Sequence, residues 1–115
     1  WTNYTTKPEM LKAAFENSLH VLAAFNEEGI LVGVLRAVGD GASILFIQDI
    51  LVTPEYQHQG IGTKLLQQTL EKYKNVYQIQ LTTDNSMKTI SFYESNGFTS
   101  LISLNCVSFM YTGNQ

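Results

Sequence analysis

Two glycines mark a place where this chain can bind an anion. Gln57, Gly60 and Gly62 follow a β-branched run that ends at Pro54, and an amphipathic helical pattern begins at the glycines. The first N–H groups of a helix have no acceptor within the helix, and the helix dipole gives them positive potential. Glycine lets a phosphate approach such a backbone without a side chain in the way. The spacing therefore predicts a phosphate-binding helix start.

The same spacing excludes two common nucleotide-binding loops. A P-loop needs Gly, four residues, Gly, Lys and then Ser or Thr, and segment 60–64 does not fit. A dinucleotide fingerprint needs a third glycine at the position that Leu65 occupies. Taken alone, the remaining Gly-x-Gly pair is equally typical of ordinary turn glycines, so the surrounding residues have to decide.

Two motifs together resemble the GNAT superfamily of N-acetyltransferases. Segment 57–62 reads Gln-x-x-Gly-x-Gly after a strand that ends in Leu-Val-x-Pro, and this resembles the acyl-CoA signature of that family. Segment 92–98 reads Phe-Tyr-Glu-Ser-Asn-Gly-Phe and resembles the family's Phe-Tyr-x-x-x-Gly-Phe motif. The motifs lie about 30 residues apart with one strand between them. Such a pair is far more specific than either motif alone, and the resemblance extends over 7–112.

The resemblance implies an α/β acyltransferase fold, with a twisted mixed sheet whose fourth and fifth strands splay apart. Those strands match 43–53 and 76–83, and the family's first strand has no counterpart in this sequence. Acetyl-CoA, the acyl donor, would enter the split, with pantetheine on the fourth strand and pyrophosphate on the helix start. The residues implied for cofactor binding are Ile50, Leu51, Val52, Gln57, His58, Gln59, Gly60, Ile61, Gly62, Thr63 and Tyr93, with Asn85 or Ser86 where the family often has an asparagine.

The resemblance also implies roles in catalysis. Tyr93 matches a tyrosine that protonates the departing thiolate, although a core aromatic is the alternative. Asp49 is the preferred candidate for the base that takes the proton of the amine, and Asp84 is the next candidate, but both positions also suit structural roles. A backbone N–H of Leu51 or Val52 would stabilise the oxyanion of the tetrahedral intermediate.

The implied reaction is direct transfer of the acetyl group of acetyl-CoA to a primary amine. The alternatives are a GNAT-like module that binds CoA without transfer, and an enzyme that uses longer acyl groups. Seven Lys and Arg against ten Asp and Glu give a net charge of −3, which favours a cationic acceptor such as a polyamine, an aminoglycoside or a lysine side chain. The same balance argues against a nucleic-acid partner.

Composition sets further bounds. A chain of 115 residues predicts a single domain over 1–115, and a start at Trp1 suggests that this domain is incomplete at its N-terminus. No apolar run is long enough to span a membrane, and one cysteine with two histidines predicts no metal site. Cys106 lies in an apolar run and is expected to be buried. The lone cysteine and the lack of a signal-like N-terminus predict a cytoplasmic location.

Periodicity gives the elements that must position these residues. Segment 6–9 reads as a capping box formed by Thr6 and Glu9. A closing hairpin is expected at the C-terminus, and its exposed edge over 106–112 allows pairing with a second copy of the chain. The predicted helices cover 7–18, 60–74 and 86–96, and the predicted strands cover 20–25, 30–38, 43–53, 76–82, 98–104 and 106–112.

Overall fold

The computed structural model describes residues 7–115 as two compact units, with the boundary between Thr82 and Thr83. The prediction of one domain over 1–115 stays a prediction. The first unit contains α1 (Pro8–Glu16), β1 (His20–Phe25), β2 (Leu31–Gly39), β3 (Ile44–Val52), a 3-10 helix (Pro54–Tyr56), α2 (Ile61–Lys72) and β4 (Gln78–Leu81). The second unit contains α3 (Met87–Ser95) and a 3-10 helix (Leu101–Leu104).

A four-stranded mixed sheet forms the centre of the first unit. Its order is β1-β2-β3-β4, with antiparallel β1–β2 and β2–β3 pairs and a parallel β3–β4 pair. Six consecutive residues of β2, 32–37, are buried, so β2 is an inner strand covered on both faces. The predicted mixed α/β sheet is confirmed, and the crossover between β3 and β4 is made by α2.

Strand β3 contains one extra residue relative to β2. The register shifts between Arg36 and Ala37, which leaves Gln48 without a facing residue. Such a bulge bends the strand and increases its twist. The parallel ladder with β4 ends at Ile47, immediately before the bulge. Among the described residues, the edge of β3 over 48–52 therefore has no strand partner on the β4 side.

Helix α2 packs closely on β2 because β2 contains a glycine. A Cβ built at Gly33 would lie 3.1 Å from Ile61 Cγ2 and 3.4 Å from both Leu65 Cδ1 and the Leu51 carbonyl oxygen. Leu65 and Leu66 are buried on this side of the helix. A side chain at position 33 would have to displace the Ile61 side chain or the first turn of α2, so Gly33 permits the close approach of the helix start to the sheet.

The last turns of α2 are held by a buried histidine. His20 Nε2 lies 2.9 Å from Thr69 Oγ1, and the Thr69 hydroxyl donates to the Leu65 carbonyl at 2.9 Å. Because that hydroxyl has only one proton, His20 donates through Nε2–H and its Nδ1 carries no proton in the neutral ring. Burial, and secondarily the charge of Lys72, lower the pKa of His20. The Tyr73 ring packs edge-on against His20 at 5.1 Å.

The structure bears on the predictions made for the two ends of the chain. The residue before α1 is Lys7, which makes no side-chain capping bond, and Thr6 of the predicted capping box lies outside the described residues. The predicted C-terminal hairpin is wrong, because the structure contains no strand between 83 and 115. Asn105 has a φ of 60°, which interrupts the extended run. Cys106 is exposed rather than buried, since no strand covers it.

Candidate functional site

The side chains of Tyr56 and Gln57 hold the loop between β3 and α2 in place. Gln57 Nε2 donates to the Val52 carbonyl at 3.0 Å, which ties the loop to the end of β3. The Tyr56 hydroxyl accepts from Asn26 Nδ2 at 3.0 Å, which ties it to the β1–β2 turn. Gln57, the first residue of the predicted signature, therefore fixes the loop through the backbone of the strand.

The loop turns sharply twice before the helix. His58 has a φ of 66°, and Gly60 has a φ of 83°. Gln59 Nε2 donates to the Glu55 carbonyl at 3.3 Å between these two turns. Positive φ is strained for residues with a Cβ and free of that strain for glycine, so the backbone explains why position 60 is a glycine.

The helix start presents backbone donors to open space. Gly60 is the N-cap of α2 and provides no side-chain cap. Lys64 N–H donates to the Gly60 carbonyl at 3.0 Å, so the N–H groups of Ile61, Gly62 and Thr63 precede the helical ladder. A Cβ at Gly60 would have no heavy atom within 4 Å, so a ligand has room to approach. This is the geometry that the sequence predicts for a phosphate.

The edge of β3 offers alternate backbone groups to the gap beside it. Thr53 N–H donates to the Val32 carbonyl at 2.9 Å, which fixes the phase of the antiparallel ladder. By alternation, Leu51 bonds to β2, whereas the N–H and C=O groups of Ile50 and Val52 point away from β2. Of the two donors predicted for the oxyanion, only the Val52 N–H lies on the open side.

Asp49 forms a buried ion pair rather than standing alone. Its Oδ2 lies 2.8 Å from Arg36 Nε, and the two side chains are 13% and 8% exposed. Arg36 also donates from Nη1 to Ser18 Oγ at 3.2 Å and lies 5.8 Å from the centre of the Phe15 ring. The pair joins β2 and β3 to the α1 region, so the structural role of Asp49 is evident and its catalytic role stays a prediction.

Sequence reasoning missed Arg36 and Gly33, although each left a signal. Arg36 is the single arginine of the chain and lies inside an apolar inner strand, where a charge requires a buried partner. Gly33 lies inside the same strand, where glycine indicates the close approach of another element.

The remaining predicted residues lie in the second unit. Ser86 is the N-cap of α3 and accepts from the Thr89 N–H at 3.3 Å. Its contact with CoA stays a prediction, as does that of Asn85. The Tyr93 ring packs edge-on against Phe92 at 5.0 Å and Phe98 at 5.8 Å.

Burial, and secondarily the negative charge of Asp84, raise the pKa of Tyr93. Its hydroxyl therefore keeps its proton at neutral pH, as a general acid must, and is a weaker acid than an ordinary tyrosine.

Two other properties concern the whole described chain. Within residues 7–115, no three His, Cys, Asp or Glu side chains come together as a metal-binding group. None of the helices in that part of the chain has the length and apolar character needed to cross a membrane.

Comparison with solved structures supports the fold. A GNAT-family acetyltransferase from Streptococcus pneumoniae is 39% identical, with a TM-score of 0.88 over 93% of this chain and 80% of that protein. A GNAT-family acetyltransferase from Elizabethkingia anophelis, solved with acetyl-CoA bound, is 23% identical, with a TM-score of 0.67 over 82% of this chain and 62% of that one. At this lower identity the likeness is one of fold.

Sequence comparison supports the family. An uncharacterized N-acetyltransferase from Gracilaria tenuistipitata var. liui is 30% identical over 93 residues, which are 76% of this chain and 50% of that protein. The chain spans about half or less of the length of the curated relatives it matches. The model of the acetyltransferase (GNAT) domain matches residues 16–100. The protein therefore belongs to the GNAT acetyltransferase family.

Proposed function

We propose that this chain binds acetyl-CoA along the open edge of β3 and at the start of α2, and transfers the acetyl group to a primary amine. The observation that carries the proposal is the end of the β3–β4 ladder at Ile47. It leaves backbone groups of Ile50 and Val52 facing the gap, and the open helix start follows in the chain. The amides of pantetheine can pair with such an edge as a strand does, and pyrophosphate suits the helix start.

The backbone supplies the attraction for the pyrophosphate. The chain has a net charge of −3, so long-range attraction for an anion is weak. The N–H groups of Ile61, Gly62 and Thr63 and the dipole of the 12-residue helix α2 act at short range instead. Gly60 keeps this approach open, since it projects no side chain.

The proposed reaction needs no covalent enzyme intermediate. The amine nitrogen attacks the thioester carbonyl carbon, and the Val52 N–H stabilises the oxyanion that forms. The C–S bond then breaks, the electron pair goes to sulfur, and the Tyr93 hydroxyl gives the thiolate a proton. The Tyr93 hydroxyl is protonated at neutral pH, so its proton is available when the thiolate leaves, although the raised pKa makes it a weaker acid than an ordinary tyrosine.

Asp49 is proposed to take the proton of the amine. It lies on β3 next to Ile50, and the ion pair with Arg36 fixes the position of its carboxylate. Direct transfer, or transfer through a water molecule, satisfies the proton balance. In an Asp49→Asn variant the loss of the ion pair with Arg36 lowers stability in either case, so the catalytic role is read from the folded variant. Loss of the base should lower kcat more where the amine is protonated than at high pH.

The acceptor is proposed to be cationic. The acidic balance of the chain favours a positively charged amine. A protein named histone acetyltransferase from Glycine max is 35% identical over 75 residues, which are 64% of this chain and 32% of that protein. A useful panel therefore contains a lysine peptide, a polyamine and an aminoglycoside.

The first test is calorimetric titration of acetyl-CoA into the purified chain. We expect binding that is lost in Gly60→Glu, because a carboxylate would then stand at the pyrophosphate position. Gly29→Glu is the matched control, since Gly29 also has positive φ (79°) and open space around its Cβ position. Equal loss in both variants, or no binding by the folded wild type, would contradict the proposal.

The second test is release of free CoA thiol with the amine panel. We expect Tyr93→Phe to lower kcat by about a hundredfold with little change in the affinity for acetyl-CoA. Binding without thiol release for every amine would favour the alternative of a CoA-binding module without transfer.

A further inference from the structure

A cavity of about 540 Å³ lies between helix α1 and strands β1 and β2 in the first unit. Its walls are apolar apart from Lys12, which forms an exposed ion pair with Glu16 at 3.9 Å. Cavities of this volume with apolar walls are typical of sites that bind small molecules. The described residues that line it come from α1, β1 and β2, so the cavity is separate from the proposed acetyl-CoA site.

The apolar surfaces on both sides of this cavity are incompletely covered. None of the nine residues of α1 is buried, although Leu11 and Phe15 line the cavity. On the strand side, Val21 is 42% exposed and Phe25 is 62% exposed. Most helices in proteins gain their stability from the packing of an apolar face. A ligand with an apolar group would cover these surfaces and gain binding free energy from their burial.

The cavity and the residues proposed for the reaction lie on the same face of the sheet. Residues that pair across neighbouring strands have their side chains on one face. The register of β1, β2 and β3 gives two adjacent rows of side chains on this face: Val21-Arg36-Asp49 and Ala23-Val34-Leu51. The β1 end of both rows lines the cavity. The β3 end of both rows belongs to the open half of β3, where the thioester is proposed to lie.

The two ends of these rows are separated by the length of a small molecule. Neighbouring strands lie about 4.8 Å apart, so the β1 end of each row is about 10 Å from its β3 end. Val34, in the middle of the second row, is buried and also lines the cavity. An apolar group in the cavity and an amine beside Asp49 can therefore belong to one molecule that passes over Val34.

The charges around the cavity favour a cation. Glu9 follows a residue of the cavity wall in the chain, and Glu27 and Glu28 lie in the turn between two others, Phe25 and Leu31. Segment 7–31 contains four glutamates and two lysines. Carboxylates near the mouth of a site attract cationic ligands. An amine that arrives protonated therefore meets a complementary charge before it reaches β3.

We propose that this cavity binds the apolar group of the acceptor, and that the acceptor is a primary amine joined to an apolar group by a short aliphatic chain. The inference rests on the proposed function, because it places the amine at the β3 end of the rows. It narrows the cationic acceptors to amphipathic ones. Polyamines and aminoglycosides, which have polar bodies, should bind less tightly.

Calorimetric titration of two amines tests the binding without any transfer. Phenylbutylamine and putrescine share a primary amine on a four-carbon chain, and only phenylbutylamine has an apolar ring. We expect phenylbutylamine to bind about thirtyfold more tightly, because its ring leaves water for the cavity. Ala23→Phe fills the cavity from β1 and should remove this preference. Ala13→Phe is the matched control, because Ala13 is exposed on α1 outside the cavity wall, and it should keep the preference.

Three results would overturn the proposal: equal affinity for the two amines, an unchanged preference in Ala23→Phe, or its loss in the folded Ala13→Phe control. Circular dichroism checks that both variants fold. Light scattering adds a fourth. A dimer that Ala23→Phe dissociates, with amine affinities unchanged, would assign this face to a second copy of the chain instead.

Release of free CoA thiol separates this inference from the proposed function. With acetyl-CoA present, kcat/KM should favour phenylbutylamine over putrescine, and the opposite order would overturn the role of the cavity in acceptor binding. If no amine releases thiol, the proposed transfer fails, whereas the calorimetric comparison still decides whether the cavity binds the apolar group.

Discussion

The two halves of strand β3 differ in their neighbours. From Leu45 to Ile47 the strand pairs with β2 on one side and β4 on the other, and Leu45 and Ile47 are buried. From Asp49 to Val52 it pairs with β2 alone. The difference begins at Gln48, the extra residue. A single inserted residue thus separates a half that builds the core from a half that keeps backbone groups open.

The largest expected effect follows from breaking the ion pair between Arg36 and Asp49, which holds the open half of β3. Arg36→Met removes the arginine from the largely buried Asp49 carboxylate, and we expect the free energy of unfolding to fall by about 4 kcal/mol. Urea unfolding measures this loss. The double variant Arg36→Met with Asp49→Leu should recover most of it, because no buried charge remains. A loss below about 1 kcal/mol in the single variant would show that the pair does not anchor this half.

Alanine substitutions in the two halves should separate stability from binding. Leu45→Ala removes a fully buried side chain and should cost about 3 kcal/mol of stability without changing the affinity of the folded chain for acetyl-CoA. Leu51→Ala, in the half-buried open half, should cost less stability. Urea unfolding and calorimetric titration of both variants test the contrast. A larger stability loss for Leu51→Ala would reverse it.

Gly33→Ala should change both the stability of the chain and its affinity for acetyl-CoA. The added methyl group would meet Ile61 Cγ2 at 3.1 Å, so the Ile61 side chain or the start of α2 must shift by a few tenths of an ångström. We expect a stability loss of about 2 kcal/mol and weaker binding of acetyl-CoA, because the helix start shifts relative to the β3 edge. Leu45→Ala serves as the control that loses stability without this shift. Unchanged affinity in Gly33→Ala would mean that the spacing tolerates the methyl group.

The smallest effect concerns the other end of α2 and depends on pH. The folded chain lowers the pKa of His20 below 6.5, so the unfolded chain binds more protons in the window between the two values. The contribution of neutral His20 to stability is therefore fully present above about pH 6.5. It is lost as the pH falls from that value through the lowered pKa of the folded chain. We expect His20→Gln to remove this slope in urea unfolding, whereas His58→Gln, at the other histidine of the chain, should keep it. An unchanged slope in His20→Gln would contradict the assignment.

Local patterns were enough for most elements of the first unit. The spacing of Ile61, Leu65 and Leu66 predicts α2, and alternation and β-branched runs predict the four strands. The glycines at 60 and 62 predict the helix start, because that argument needs only the backbone. These features depend on residues that are neighbours in the sequence.

Features that depend on how the strands pair with one another were not predictable from such local patterns. The bulge at Gln48 follows from the register of β3 against β2, and no residue type at that position marks it. The ion pair of Arg36 and Asp49 needs the same register. The run 106–112 has strand propensity, but propensity does not supply a partner strand, so the hairpin failed and Cys106 is exposed.

The bond from Gln57 to the Val52 carbonyl gives the open edge a direction. Of the four outward backbone groups of Ile50 and Val52, one acceptor is already occupied. A chain lying beside β3 therefore meets a donor and an acceptor at Ile50 and then a donor alone at Val52. Shifting that chain by one amide would set like groups against each other at Ile50. One glutamine side chain thus removes one acceptor from the end of this edge, so that an extended ligand can pair with only a donor at Val52.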